Sequence, residues 1–324
     1  MTNVYHSNDE NKFLLKLKQE LRERFKDCDK IAIKLHFGEP GNKTAFKPED
    51  IKPITDILNE LDINFFLFDS LVTYSGPRNN SDSYKNFVIK KGWDKLGEIR
   101  INDEHISVKG ENLTYEVCKE LVDADAVLVV SHVKGHVCTG FGGAIKNLGM
   151  GALTKKTKSD IHYGGEPVFV GKCTQCKACE RACPLETLKV KDKPIFGTCY
   201  GCSDCVYACP NLAIKTKVNY FDILLAEGAF IAQSKFKKVY YISFLKNITQ
   251  LCDCESDSGK IIANDCGFLA SHNGVAIDMA AYDIILKNEG QDVFLKFNKK
   301  SGTEQVKAAE KFGMGQSKYN LIEL

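Results

Sequence analysis

Fourteen cysteines stand in the 324-residue chain, and the spacing of eight of them defines a chemistry. Cys173, Cys176, Cys179 and Cys183 are followed by Pro184, and Cys199, Cys202, Cys205 and Cys209 are followed by Pro210. Both runs read C-x2-C-x2-C-x3-C-P, the second repeating the first 26 residues later, from 173 to 199. Three closely spaced thiolates on one loop suit three corners of an iron–sulfide cube, while the fourth starts the next turn and points toward another cluster. Zinc also accepts C-x2-C pairs, but its sites use two pairs split by a longer loop and have no need of eight cysteines in two identical runs. Ala178, Ala182, Gly201 and Ala208, small residues beside the ligands, let backbone amides approach the sulfides.

A second concentration of reactive side chains follows the apolar run AVLVV. The stretch SHVKGHVCTGFGGAIKNLGMGAL carries His132, Lys134, His136, Lys146 and Asn147 among Gly140, Gly142 and Gly143. A glycine-rich turn from strand to helix presents amide N–H groups to an anion. It fits neither nucleotide-binding glycine fingerprint, so it predicts a seat for a carboxylate or phosphate rather than for a nucleotide. Imidazoles beyond a strand's carboxyl end can act as an acid–base pair, hold a metal, or serve structure alone. His36 and Glu39 in KLHFGEPGNK follow another strand, and His162 lies further on. Cys252 and Cys254, two thiols separated by one residue, could hold an additional metal, cycle as a redox dithiol, or stay inert. Cys28 and Cys118 read as packing residues.

The elements that must position these groups alternate. Apolar spacing predicts helices over 8–25 and 48–61, near 84–91 and 114–121, and over 221–232, 275–287 and 302–312. Strands are expected at 30–37, 64–69, 126–130, 238–244, 260–263 and 267–270. This predicts an α/β fold with a mainly parallel sheet and flanking helices. Cysteine-rich, proline-punctuated sequence interrupts the rhythm, so residues 1–164 and 218–324 are expected to form one discontinuous domain, and 165–217 an α+β insertion.

Composition removes some classes of partner. Forty-four Lys and Arg against 42 Asp and Glu leave a formal charge of +2, too little to recruit nucleic acid or an anionic membrane surface. No apolar run approaches the ~20 residues of a membrane helix, and no secretory signal pattern opens the chain, so a cytoplasmic location is expected. Between Val168 and Lys217, eight Lys or Arg and four Asp or Glu give +4. Two bound clusters at roughly −2 each would bring that to about zero, which suits a module docked on its own domain.

The duplicated cysteine run resembles that of bacterial two-cluster ferredoxins. The resemblance implies two 4Fe-4S clusters, one on Cys173, Cys176, Cys179 and Cys209, the other on Cys199, Cys202, Cys205 and Cys183. More broadly, KLHFGEPGNKTAF, TYSGPRNN, SHVKGHVCTGFGGAIKNLGMG, NITQLCDCE and GFLASHNGVAIDMA resemble the domain-of-unknown-function 362 family, in which an α/β domain commonly accompanies a ferredoxin-like module. His272-Asn273-Gly274 stands where family members often read Asp-Pro. The leading expectation is an oxidoreductase that passes single electrons to a small anionic substrate or second cofactor held near His36, His132, His136, Lys146 and the Cys252/Cys254 pair. A ferredoxin or flavodoxin would be its redox partner. The rivals are a non-catalytic electron carrier and a metal-handling or cofactor-assembly protein that uses Cys252 and Cys254.

Overall fold

The computed structural model describes residues 1–324, and the alternation of strand and helix resolves into one sheet of eight strands. In chain order the strands are β1 (Thr2–Ser7), β2 (Lys30–Lys34), β3 (Asn64–Asp69), β4 (Glu98–Ile101), the hairpin β5 (His105–Lys109) and β6 (Thr114–Cys118), and β7 (Ala126–His132). There follow the short hairpin β8 (Lys134–His136) and β9 (Gly140–Gly142), β10 (Pro167–Phe169), β11 (Lys189–Val190), β12 (Pro194–Ile195), β13 (Ile214–Thr216), β14 (Val239–Leu245), β15 (Gly267–Ser271) and β16 (Tyr319–Glu323). The large sheet runs β16-β1-β15-β14-β7-β2-β3-β4, with β15 alone antiparallel to its neighbours. The expected mainly parallel α/β class is the class observed.

Helices cover both faces, which is why AVLVV is continuously apolar rather than alternating. Ala126, Leu128 and Val130 join a core of 30 buried residues with Phe13, Leu17, Ile54 and Leu58 from the helices Glu10–Phe25 and Pro48–Glu60. Val127 and Val129 point the other way, into a core of 48 residues with Ile145, Leu148, Leu225 and Ile277. Helix starts follow local chemistry: Asp9 accepts hydrogen bonds from the N–H groups of Asn11 and Lys12.

Three local expectations are corrected. The segment expected as a helix near Thr114–Leu121 is β6 followed by a short helix, Lys119–Asp123. Tyr115 and Val117 alternate inward there and pair with Val108 and Ile106 of β5, so sheet pairing overrides helical spacing. Around Lys260–Ala263 there is only an isolated bridge from Ile261 to Thr249. The glycine-rich turn after β7 is not open to an external anion: Asp278 accepts the Ala144 and Ile145 N–H groups at 2.6 and 2.9 Å, filling the helix N-terminus with the protein's own carboxylate. A Cβ on Gly143 would stand 2.3 Å from Asp278 Oδ1, so glycine is required for that approach.

Residues 165–217 leave and rejoin the α/β part at one place, where Lys217 N–H bonds Glu166 O and Val218 N–H bonds Gly164 O, both at 2.9 Å. Within them β10 pairs antiparallel with β13 and β11 with β12. Cys179, Leu188, Cys205, Val206 and Ile214 form a small separate core.

Burial pushes the Asp278 carboxyl up to about 7 against its two amide donors. Asp278→Ala orphans both amides and opens a void. We expect it to lower unfolding free energy by about 2–4 kcal/mol, read as a lower urea midpoint at unchanged m-value.

Candidate functional site

The sheet changes winding direction at β2, which lies between β3 and β7, and a cavity of about 160 Å³ opens at the carboxyl ends of these strands. Open α/β sheets bind ligands at such crevices. Among the residues lining it, Lys34 and His36 come from β2 and its loop, Asp69 from β3, and Arg78 from the turn after it. His132 and His136 come from β7 and β8, Lys146 and Asn147 from the helix Ala144–Gly151, and Cys252 to Cys254 from the loop after β14.

Buried ion pairs set its walls. Lys34 Nζ donates to Asp69 Oδ1 at 3.1 Å, Asn147 Oδ1 at 2.9 Å and Leu35 O at 2.7 Å. Arg78 reaches Asp69 at 3.4 Å and Glu39 at 2.9 Å, while Tyr84 donates to Asp69 at 2.6 Å. Burial alone would raise Asp69, but Lys34 and Arg78 outweigh it and hold the carboxyl well below the usual range. Across the cavity, Asp253 pairs with Lys134 and with His132, each at 2.8 Å, and is held low in the same way against its burial.

The four residues expected to carry chemistry line this cavity in different states. His132 has both ring nitrogens committed, Nδ1 to Asp253 and Nε2 to Lys246 O at 2.7 Å, and stacks on Phe46. It positions Asp253. His36 Nδ1 accepts the Gly38 N–H at 3.0 Å, and burial, reinforced by Arg78, pushes its pKa well down, so a neutral ring with Nε2–H lines the cavity. His136 is buried and likewise held neutral, its Nδ1 lying 3.0 Å from Thr139 Oγ1 and 3.3 Å from the Cys138 N–H. Lys146 Nζ lies 3.4 Å from Cys252 Sγ, and burial pushes it down to about 8. Cys252 and Cys254 are joined as a disulfide.

Several lining residues lay outside the expectations: Lys34, Asp69, Arg78, Lys158 and Asp253. Their signals were a lysine inside an apolar strand, KIAIK, an arginine in a turn, and an acid between two cysteines. Four cations (Lys34, Arg78, Lys146, Lys158) face two carboxylates (Asp69, Asp253), an excess of two positive charges. Lys158 donates to Ser70 Oγ and Leu71 O and, like Lys146, has no carboxylate within ion-pair distance.

The eight spaced cysteines are all unpaired thiols and line two smaller cavities. One is walled by Cys173, Cys176, Cys179 and Cys209, the other by Cys183, Cys199, Cys202 and Cys205. The backbone repeats as the sequence does. Gln175 and Lys177 in the first run, and Gly201 and Ser203 in the second, take φ from 58° to 67° at equivalent positions. Three of the four are non-glycine residues, rarely found there. These turns aim the Gln175 and Gly201 amides at the sulfurs of Cys173 and Cys199, each at 3.3 Å. The second quartet adjoins the large cavity, where His162 donates through Nδ1 to Tyr200 O at 2.7 Å, beside Cys199.

Fold and site together define a mixed α/β protein with a charged crevice at the carboxyl end of its sheet and a cysteine-rich segment against one wall. The chain belongs to the family described as domain of unknown function DUF362, whose pattern matches residues 31–283. No curated protein matches it. Among solved structures, a Thermotoga maritima protein is 10% identical with a TM-score of 0.49, covering 87% of this chain and 59% of that one. The lactate racemase apoprotein from Thermoanaerobacterium thermosaccharolyticum is 13% identical with a TM-score of 0.35, covering 75% and 51%. The chain thus spans between half and three-fifths of these structures, and neither resemblance bears on its chemistry. No helix is long and apolar enough to cross a membrane.

Asp69 serves two buried cations, so Asp69→Asn is expected to cost about 3–5 kcal/mol at pH 7 in urea unfolding. The sign follows from its depressed folded value: the stability it contributes is present above the unfolded value near pH ~4 and is lost as pH falls toward the folded one. The gap between wild type and variant should therefore narrow in acid.

Proposed function

We propose that residues 165–217 form a ferredoxin-like module holding two 4Fe-4S clusters, and that the protein is an oxidoreductase acting on a small anion in the crevice. The observation that carries this reading is the sorting of eight cysteines into two cavities. Each cavity takes three residues from one run and the fourth from the other, as interlocked cubane ligation requires. Unpaired thiols, left-handed turns and sulfur-directed amides in both runs fit the same group. When bound, the clusters would supply or accept electrons singly.

The chain's own residues do the rest. Lys146 and Lys158 supply positive charge without a carboxylate to neutralise it, which favours an anion. His36 offers a neutral Nε2–H as a donor to its oxygens. His162, its Nδ1–H given to Tyr200 O, keeps Nε2 as a proton acceptor beside the second quartet. A ferredoxin or flavodoxin would exchange electrons at an exposed ligand, Cys176 of the first quartet or Cys199 of the second. The reading implies a reducing, cytoplasmic setting, in which such thiols persist.

Anaerobically prepared protein should carry about eight iron and eight acid-labile sulfide per chain, with a paramagnetic signal on dithionite reduction. Interlocking makes a sharper statement through double variants. Cys173→Ser with Cys209→Ser, on different runs but one quartet, should retain about four irons, whereas Cys173→Ser with Cys183→Ser, on one run, should retain almost none. Equal losses in both would refute the assignment.

Anion binding should also depend on pH. Burial lowers Lys158 to about 8, so it is charged below that pH and neutral above it. Sulfate stays fully ionised throughout and serves as the probe. Its affinity by calorimetry should fall as pH rises from 7 to 9, and Lys158→Met should be weaker at pH 7 with a shallower pH dependence.

A further inference from the structure

One cluster of side chains has no part in that electron path. A ring nitrogen of His136 and the sulfurs of Cys252 and Cys254 all lie within 4.8 Å of one another, gathered from β8 and the loop after β14. We infer that in the reduced chain Cys252, Cys254 and His136 bind one thiophilic divalent metal ion of the zinc type, leaving a fourth coordination position open to the crevice. The inference rests on the proposed function only for the electrons that reduce the cysteine pair.

The ligand set decides the class of ion. Two thiolates and an imidazole select borderline-soft transition ions over magnesium or calcium, and three protein ligands with one open position mark a reactive rather than a purely structural site. Charge agrees: two thiolates neutralise a divalent ion, so the ammonium of Lys146, 3.4 Å from Cys252 Sγ, faces a neutral centre. An anion arriving at the open position would meet that ammonium as well.

The protein also prepares the imidazole. The single hydroxyl proton of Thr139 goes to Phe141 O at 2.7 Å. In the tautomer that metal binding calls for, Thr139 Oγ1 accepts from His136 Nδ1–H, at 3.0 Å. The other tautomer would instead accept the Cys138 N–H at 3.3 Å. The Nδ1–H tautomer leaves a lone pair on Nε2, and a second hydrogen bond of this kind is what orients metal-binding histidines.

The loop carrying the sulfurs is fixed from outside. Asp253, between the two cysteines, is locked to Lys134 and His132, and its carbonyl accepts the Glu39 N–H at 3.0 Å. Both cysteines line the crevice. Oxidation joins the sulfurs and removes both as thiolate ligands, so the disulfide present here is the metal-free form. Reduction breaks the S–S bond with two electrons and yields two thiolates. A one-electron iron–sulfur donor delivers them in two transfers, and no oxidant is consumed.

The test uses anaerobically prepared, cluster-loaded protein, reduced with a phosphine and dialysed against Zn²⁺ or, for spectroscopy, Co²⁺. One extra ion per chain beyond iron is expected, with thiolate-to-cobalt charge-transfer bands and protection of Cys252 and Cys254 from alkylation. A Cys252→Ser, Cys254→Ser variant should lose the ion and bands while its iron and sulfide stay at the wild-type level. Thr139→Val, which keeps the shape and removes the acceptor, should weaken Co²⁺ binding about 10–100-fold. Absence of a stoichiometric ion in reduced wild type, or equal binding by the double variant, overturns the metal site. A low iron count in wild type counts against the cluster reading instead, so the two failures are told apart.

Discussion

Charge burial at the carboxyl ends of β2, β3 and β7 is the constraint on which the rest of this protein depends. Lys34, Arg78 and Lys134 keep only 1–2% of their side chains in solvent. Desolvating such ions costs several kcal/mol each unless a counter-charge sits against them. The carboxylates that answer come from separate segments: Asp69 ends β3, Glu39 follows β2, and Asp253 lies in the long loop after β14. Three loops that sequence would leave free to wander are thereby tied into one arrangement. Lys158, buried, and Lys146, half-buried, have no carboxylate within ion-pair distance and are the uncompensated remainder. Two such cations in the crevice wall cost the fold stability, a cost that an anion bound there would offset under the proposed function.

How much of this was legible depended on whether the cause was local. The α/β class was, because fully buried parallel strands read as apolar runs and their helices as 3.6-residue patterns. The two cysteine runs were legible in spacing, and their side chains line two separate cavities. The Thr114–Leu121 segment was not, since its fate as β6 hangs on a partner strand several residues away. Nor was the glycine-rich turn: glycines signalled close approach of an anion, and the anion proved to be Asp278, more than 130 residues later in the chain. His132 shows the same limit. A histidine after a strand looks reactive until the third dimension gives both its nitrogens to Asp253 and Lys246.

The cysteine-rich segment touches the sheet asymmetrically, and this orders the two quartets. Cys202 belongs to the large hydrophobic core, and buried Lys300 donates to the carbonyls of both Cys202 and Cys138 while pairing with Asp204 and Asp222. Burial tends to lower Lys300, but the two carboxylates outweigh it and keep it firmly charged. A Cβ on Gly201 would stand 1.9 Å from His162 O, so backbone meets backbone at this seam with no room for a side chain.

These contacts make the second quartet part of the crevice wall. The first quartet has no comparable tie, and Lys172, Lys177, Glu180 and Arg181 stand in or beside its cysteine run. Under the proposed function, electrons would enter at an exposed ligand, Cys176 or Cys199, and reach the crevice from the inner quartet past Tyr200 and His162. His162 Nδ1 donates to Tyr200 O at 2.7 Å on that route. Under the same reading, Cys199 as a cluster ligand and His162 as a proton acceptor would place electron and proton within reach of one bound anion.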